Sequence, residues 1–108
     1  MGRVARFSRM ERLRANVTFE SDRVELELHG DLDADGADVL QALVAEFDHI
    51  DRIDLADVDV IDSSGLFALV QADTRARQAG TRLILVPPGA VVARIFAWTG
   101  LESRLHFV

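Results

Sequence analysis

The sequence has 108 residues, of which 49% are hydrophobic and 28% charged, and its formal net charge is −6. This length and balance predict one globular domain and exclude a wholly disordered chain. The absence of cysteine excludes disulfides and thiolate metal sites, and no apolar run approaches the roughly 20 residues of a membrane-spanning helix. We therefore expect a cytoplasmic protein without a membrane span or a signal peptide.

Charge is distributed unevenly along the chain. Residues 1–14 contain five arginines and one glutamate, whereas the remainder contains seven arginines and seventeen acids. An acidic body repels the phosphates of nucleic acids, so it predicts a basic protein partner and no direct contact with nucleic acid. We interpret residues 1–14 as a flexible basic N-terminal extension, with Met10 as an alternative start, and residues 15–108 as the domain.

Two runs of alternating apolar residues open this domain. They span 16–21 and 23–29 and flank Ser21-Asp22, so they predict a β-hairpin with one buried face. His29 falls on the opposite, solvent-facing side of the hairpin. A lone histidine with no second ligand in register does not indicate a metal site.

A helix and a strand follow the hairpin. The apolar residues of 35–48 recur at helical spacing, and the acids at the N-terminal end of this helix complement its dipole. The apolar alternation over 53–61 predicts a strand that ends in the turn before the next helix. A shorter interpretation places the strand at 51–56 and assigns Asp57 and Asp59 to a loop. The acid-rich turns before the helix and after the strand indicate a recognition surface at one end of a sheet.

Residues 60–66, with the sequence VIDSSGL, lie between a strand and a helix predicted over 64–79. Ser63 or Ser64 is expected to cap this helix, where a hydroxyl satisfies free backbone N–H groups. The same position suits a phosphate, bound or covalently attached, because the N-terminus of a helix is positive. From the local sequence alone, a structural cap and a regulated or catalytic hydroxyl are alternative interpretations.

The rest of the chain alternates between strand and helix. Gly80 stands where a left-handed cap would end the serine helix, and 81–86 form a near-continuous apolar strand typical of a parallel sheet. A helix is predicted over 90–99, ending at Gly100, with a short strand or packed tail at 105–108. The order β-β-α-β-α-β-α predicts a single-domain α/β sandwich, with helices packed on a mixed sheet of four to five strands.

Several of these motifs together resemble the STAS domain family, which includes the bacterial anti-sigma factor antagonists. The features that match are GDLD at 30–33, IDSSGL at 61–66, Gly80 before the next strand, TGL at 99–101 and Phe107. The Asp-Ser-Ser-Gly match is the specific one. The resemblance covers nearly the whole chain, from residue 16 to residue 108, and implies the same α/β fold.

The resemblance also implies a phosphoprotein that regulates transcription by partner switching. In this family the serine immediately before the glycine is the phosphoacceptor, which corresponds to Ser64. The unphosphorylated protein is expected to bind an anti-sigma factor, itself a serine kinase, and so release a sigma factor, while a protein phosphatase reverses the modification. The partner-binding residues expected are Asp31, Asp33, Asp59, Asp62, Ser63, Ser64, Gly65, Leu66 and Phe67.

Catalysis by this chain is not expected. A serine hydrolase usually carries a Gly-x-Ser-x-Gly elbow, but Ile61 stands at the position of the first glycine before Ser63. None of the three histidines falls in a recognisable triad order. The chain has no lysine, so a phosphate-binding loop of the Gly-Lys type is absent. We expect no cofactor and no metal ion.

A second function stays open at this point. The chain is alternatively a STAS scaffold or subunit module of a stress-sensing or lipid-transport complex without a sigma-factor role, in which Ser64 only caps the helix.

Phe67 departs from the family pattern and either faces the partner or packs against the next helix, and packing is the preferred interpretation. The exposure of Trp98 is not indicated by its position. We expect a monomer or weak homodimer.

Overall fold

The computed structural model describes residues 4–9 and 12–108, with side chains described from residue 12 onward. Six strands form one sheet in the order β1-β2-β3-β4-β5-β6, antiparallel from β1 to β3 and parallel from β3 to β6. The predicted single-domain α/β fold with a mixed sheet is confirmed. The elements are β1 (Val4–Arg9), β2 (Leu13–Glu20), β3 (Arg23–Leu32), α1 (Ala34–Phe47), β4 (Arg52–Ile61), α2 (Ser63–Gln78), β5 (Ile84–Val86), α3 (Ala90–Thr99), α4 (Leu101–Arg104) and β6 (His106–Phe107).

The sheet has one strand more than the four to five predicted, because the N-terminal segment contributes a strand. Val4–Arg9 pair antiparallel with β2, and β2 itself begins at Leu13, whose side chain is buried. The expected boundary between a flexible extension at 1–14 and a domain at 15–108 therefore falls inside β2. Residues 1–3, 10 and 11, which include Met10 as the alternative start, lie outside the described residues.

The hairpin between β2 and β3 closes where the sequence predicts. Ser21 and Asp22 both have positive φ angles, 51° and 63°, and Glu20 pairs with Arg23 across them. Positive φ at both central residues is the two-residue turn whose twist matches that of the flanking strands. This turn fixes the register, so every second residue of both strands faces the core.

Strand β4 ends at Ile61, which confirms the longer of the two predicted strands, so Asp57 and Asp59 lie in a strand and not in a loop. Its buried residues Leu55, Val58 and Ile61 are spaced by three positions, and its pairing with β3 shifts register twice over this stretch. A bulge inserts one extra residue into a strand. Two bulges therefore keep the apolar side chains on the core face, although the alternating pattern of the sequence is broken.

The three longer helices cover one face of the sheet. The β3–α1–β4 and β4–α2–β5 units connect adjacent parallel strands, and right-handed crossovers that advance in one direction place their helices on the same side. A single apolar core fills the space between, where the rings of Phe96 and Phe107 meet edge to face with centroids 5.2 Å apart. No described helix covers the opposite face, which carries polar side chains including Glu25, Glu27 and Arg52.

The C-terminal elements follow the predicted order except for α4, a short helix that was not predicted, and the strands are shorter than predicted. Gly80 after α2 has a φ of 81°, and Gly100 after α3 has a φ of 77°, the left-handed conformations expected at these helix ends. Strand β5 covers only Ile84–Val86, and β6 is formed by His106–Phe107. Within the described ranges, no helix combines the length and the hydropathy needed to cross a membrane.

On the uncovered face, His29 lies between two carboxylates. Its Nε2 is 2.8 Å from Oε1 of Glu27, and its Nδ1 is 3.2 Å from Oδ2 of Asp57. Carboxylates only accept hydrogen bonds, so each ring nitrogen of His29 faces a hydrogen-bond acceptor. The hydrogen bond to His29 is the main reason that the pKa of Glu27 lies below its ordinary value; desolvation opposes it, and a hydrogen bond from Asn16 adds to it.

This contact predicts a pH dependence. Because the pKa of Glu27 is depressed in the folded state, its carboxylate stabilises the fold above its ordinary pKa, and this stabilisation is lost as the pH falls through the lowered value. We expect His29→Ala to raise the pKa of Glu27 toward its ordinary value in a carbon-detected NMR titration. Asp57→Ala is the control, since it removes the other ring contact only. An equal rise in both variants would contradict the assignment.

Candidate functional site

Two turns lie side by side at the C-terminal ends of the parallel strands β3 and β4. Strand β3 ends at Leu32 and β4 at Ile61, and these two residues are partners in the parallel register. Asp33 then caps α1 and Asp62 caps α2. The acid-rich turn after β3, which ends in Asp33, and the serine turn after β4, which contains Asp62, Ser63 and Ser64, are therefore neighbours. The carboxyl ends of adjacent parallel strands meet at one edge of the sheet.

Both helices begin with the same local motif, an aspartate followed three residues later by a glycine. Oδ1 of Asp33 accepts a hydrogen bond from the N–H of Gly36 at 3.1 Å, and Oδ1 of Asp62 accepts one from the N–H of Gly65, also at 3.1 Å. Each carboxylate satisfies a backbone donor that the helix leaves free and complements the positive end of the helix dipole.

The two serines are the first residues of α2, just after its cap. The prediction that Ser63 or Ser64 caps α2 is wrong, because Asp62 occupies the cap position and its carboxylate binds the N–H of Gly65. Ser63 is exposed and Ser64 is half-buried, and neither hydroxyl hydrogen-bonds to another described residue. The hydroxyl of Ser64 is therefore not committed to capping.

Gly65 allows α2 to lie directly against the end of β3. A Cβ at this position would overlap the carbonyl oxygen of Leu32 and would lie 2.9 Å from Cγ of Leu32 and 3.0 Å from Cγ1 of Ile61. Gly36 does the same for α1, because its Cβ would lie 2.5 Å from the carbonyl oxygen of Asp31. The two glycines thus bring both helix N-termini onto one strand end, a role that the local sequence does not indicate.

Of the residues expected to bind a partner, Gly65 and Leu66 are buried, and Phe67 is exposed. With only 8% of Leu66 exposed, these two buried residues anchor the first turn of α2. The preferred interpretation that Phe67 packs against the next helix is wrong, because its side chain is 56% exposed. Phe67 shares the outward face of α2 with Gln71 and Thr74, whereas Leu66 faces the core.

Arg12, which belongs to the predicted N-terminal extension, contributes a positive charge to the site. Its Nη2 lies 3.0 Å from Oδ2 of Asp33, and its Nη1 lies 3.9 Å from Oδ2 of Asp31. Because the arginine is exposed, these pairs contribute about 0–1 kcal/mol to stability. Asp59 and Asp62, by contrast, have no ion-pair partner among the described residues. Within the described residues, no ion pair therefore offsets the negative charge of these two carboxylates.

The two turns together present acidic side chains and the hydroxyls of Ser63 and Ser64. No imidazole hydrogen-bonds to Ser63 or Ser64 in the described part of the chain. In residues 12–108, no three histidine or acidic side chains are grouped so as to hold a metal ion.

A hollow of about 210 Å³ between Thr18, Glu25 and Arg52 lies at the other end of the uncovered face.

Comparisons with known proteins agree with this architecture. A family model described as "MlaB, STAS domain" matches residues 15–107. The chain is similar to the solved structure of a candidate anti-sigma factor antagonist from Thermotoga maritima, with a TM-score of 0.70 and 22% identity over 84% of this chain and 82% of that chain.

A second solved structure is that of the anti-sigma factor antagonist SpoIIAA in its unphosphorylated form. Its TM-score is 0.64, with 15% identity over 97% of this chain and 87% of that chain. No match is found among curated protein sequences. At these identities the two structural likenesses establish the shared fold.

Proposed function

The chain belongs to the STAS domain family, and on that premise we propose that it is an anti-sigma factor antagonist whose partner binds at the two turns. The observation that carries the proposal is the position of Ser64. Its hydroxyl lies in the first turn of α2, is freed from capping by Asp62, and stands beside the acid-rich turn that ends in Asp33. The same fold in two structures described as anti-sigma factor antagonists supports it.

The proposed surface is acidic with one large apolar side chain. It consists of Asp31, Asp33, Asp59, Asp62, Ser63, Ser64 and Phe67. An anti-sigma factor complements it by placing basic side chains opposite Asp59 and Asp62 and an apolar pocket opposite Phe67, since interfaces combine an aromatic anchor with complementary charge.

Phosphorylation of Ser64 by the anti-sigma factor kinase switches this binding off. A phosphate adds about −1.5 to −2 charges at neutral pH. Within the chain, the carboxylate of Asp62 already caps α2 and the first turn carries no other acid, so the helix N-terminus compensates the new charge only in part. At the interface, the basic side chains of the partner are already matched by Asp59 and Asp62, so the phosphate adds a bulky, unpaired charge that these two carboxylates repel and that is costly to bury. Release therefore follows from local repulsion, and a phosphoprotein structure with a displaced α2 would contradict it.

The switch predicts how two substitutions at one position differ. We expect the wild-type protein and Ser64→Ala to capture an anti-sigma factor kinase from source lysate, and Ser64→Glu to capture at least about tenfold less, because glutamate imposes part of the charge of a phosphate. Capture is measured by quantitative mass spectrometry. Thr74→Glu, with the same change on the outward face of α2, is expected to bind like wild type. Loss of capture by Ser64→Ala would contradict a charge-based switch.

A second candidate is a STAS module that assembles a stress-sensing or lipid-transport complex without a sigma-factor role. The family model favours it, because the description of that model names MlaB and not an anti-sigma factor antagonist. In that case Ser64 carries no regulatory phosphate. Equal capture of a different partner by wild type, Ser64→Ala and Ser64→Glu would then replace the first proposal with this one.

A further inference from the structure

The end of α2 that lies opposite the serine turn meets a group of arginines, formed by Arg77, Arg82 and Arg104. Nη2 of Arg77 and Nη2 of Arg82 each lie 3.3 Å from the same atom, the carbonyl oxygen of Arg104. The two guanidinium groups are therefore neighbours, although like charges repel at short range. Because Arg77 and Ser64 stand near opposite ends of α2, this arginine group lies about 20 Å from the proposed partner site.

A buried carboxylate fixes one of these arginines in place. Oδ2 of Asp73 lies 3.0 Å from Nε of Arg77, and the side chain of Asp73 is only 2% exposed, whereas that of Arg77 is 50% exposed. Asp73 thus holds the guanidinium while half of the arginine side chain remains accessible to solvent. An arginine held in this way binds a ligand at a smaller loss of rotamer freedom than a mobile one.

The arginine group carries more positive charge than its carboxylate offsets. Asp73 offsets Arg77, whereas the exposed Arg82 and Arg104 have no ion-pair partner among the described residues. Along the chain, residues 74–108 contain five arginines and one acid, although the whole protein has a net charge of −6. A local surplus of positive charge therefore stands at one end of an acidic protein, and such a surplus attracts anions.

The donors that these arginines leave free suit a phosphate group. Among the described residues, Arg77 donates only to Asp73 and to the carbonyl of Arg104, and Arg82 donates only to that carbonyl, so their remaining N–H groups are available. A guanidinium binds the oxygens of a phosphate in pairs through its planar fork of donors. A phosphate monoester carries about −1.5 to −2 charges at neutral pH, which matches two unpaired arginines better than a single carboxylate does.

The charge of the rest of the protein favours a small ligand. A net charge of −6 repels an extended polyanion such as a nucleic acid or an anionic membrane, which would meet the acidic surface as well as the arginines. A small phosphate compound meets only the local group. We propose that Arg77, Arg82 and Arg104 form a binding site for the phosphate of a small phosphate monoester. This inference goes beyond the proposed function and does not depend on it.

NMR titration with inorganic phosphate and with glycerol 3-phosphate tests the proposal. With the ionic strength held constant by sodium chloride, we expect the side-chain Nε resonances of Arg77 and Arg82 to shift and to saturate, with a dissociation constant on the order of 1 mM. Arg82→Ala is expected to weaken binding at least about fivefold, because it removes one of the two forks. A wild-type chain whose resonances do not saturate, or an Arg82→Ala chain that binds equally, overturns the proposal.

The matched control is Arg94→Ala. Arg94 is also exposed and has no ion-pair partner among the described residues, but it stands on α3 beside Trp98, which is 79% exposed, and not in the arginine group. We expect Arg94→Ala to bind both phosphate compounds like wild type. An equal loss of binding in Arg94→Ala and Arg82→Ala would show that only net charge matters, and the site would be rejected.

Vesicles distinguish a lipid headgroup from a small compound as the source of the phosphate. Wild type and Arg82→Ala are each mixed with vesicles that contain phosphatidic acid and are then centrifuged. We expect both chains to stay in the supernatant, because the acidic surface is repelled by the anionic membrane. Sedimentation of wild type that is lost in Arg82→Ala would assign the arginine group to a lipid headgroup and contradict a small ligand.

Discussion

Replacing Gly65 with alanine is expected to destabilise the protein by about 3 kcal/mol, the upper end of the usual cost of overpacking. The added Cβ would overlap the carbonyl oxygen of Leu32, which is a backbone atom and cannot rotate away. Helix propensity acts in the opposite direction, since alanine is favoured over glycine by about 1 kcal/mol inside a helix. The steric cost exceeds this gain, so the direction of the change distinguishes close packing from propensity.

The free energy of unfolding of Gly65→Ala is measured by urea denaturation followed by far-UV circular dichroism. Gly89→Ala is the matched control, because a Cβ at Gly89 meets nothing within 4 Å and its φ is −63°. We expect this control to change stability by less than about 1 kcal/mol. A Gly65→Ala variant as stable as wild type would show that α2 does not lie directly against β3.

Replacing Arg77 with alanine has the second large effect, a loss of about 3 kcal/mol, because it leaves a buried carboxylate without its counter-charge. Asp73 is 1% exposed and is the only buried charged residue in the described part of the chain. Its Oδ2 lies 3.0 Å from Nε of Arg77, and its Oδ1 has no hydrogen-bond partner. Arg77 also donates to the carbonyl oxygen of Arg104 at 3.3 Å, so it joins α2 to the end of α4.

Replacing a second arginine of α2, whose carboxylate partner is exposed, isolates the effect of burying the carboxylate. Arg75 lies 3.7 Å from the carboxylate of Asp48, which is almost fully exposed, so Arg75→Ala is expected to cost no more than about 1 kcal/mol. Asp73→Ala is expected to cost less than Arg77→Ala, since the freed arginine can turn toward water. Urea denaturation of the three variants gives the ranking, and equal losses in Arg77→Ala and Arg75→Ala would contradict the role of burial.

Most of the fold is predictable because its signals are local. Apolar residues alternate in β2 and β3 and recur at helical spacing in α1 and α2, and glycines at 80 and 100 follow helix ends. Each of these signals is recognised from residues only a few positions apart in the sequence. The bulges of β4 are not predictable in the same way. Leu55, Val58 and Ile61 are spaced by three, which matches neither a strand nor a helix until the pairing with β3 is known.

The site was harder to predict than the fold because its geometry comes from contacts between distant residues. The motif around Ser64 indicates a helix start, but three polar residues in succession could each cap it, and only the structure assigns the cap to Asp62. The reason for Gly65 is a contact with Leu32, more than thirty residues away. Arg12 reaches Asp33 through the sheet register, and no spacing in the sequence indicates that contact.

Trp98 also determines what optical measurements on this protein report. It is the only tryptophan of the chain, and it stands in water on α3 when the protein is folded. Its emission in the native monomer is therefore close to that of a solvated indole, and unfolding of the core changes its surroundings little. A shift of the emission to shorter wavelength would instead signal that something has covered α3. Intrinsic fluorescence thus reports on the surface of this helix and not on the integrity of the core.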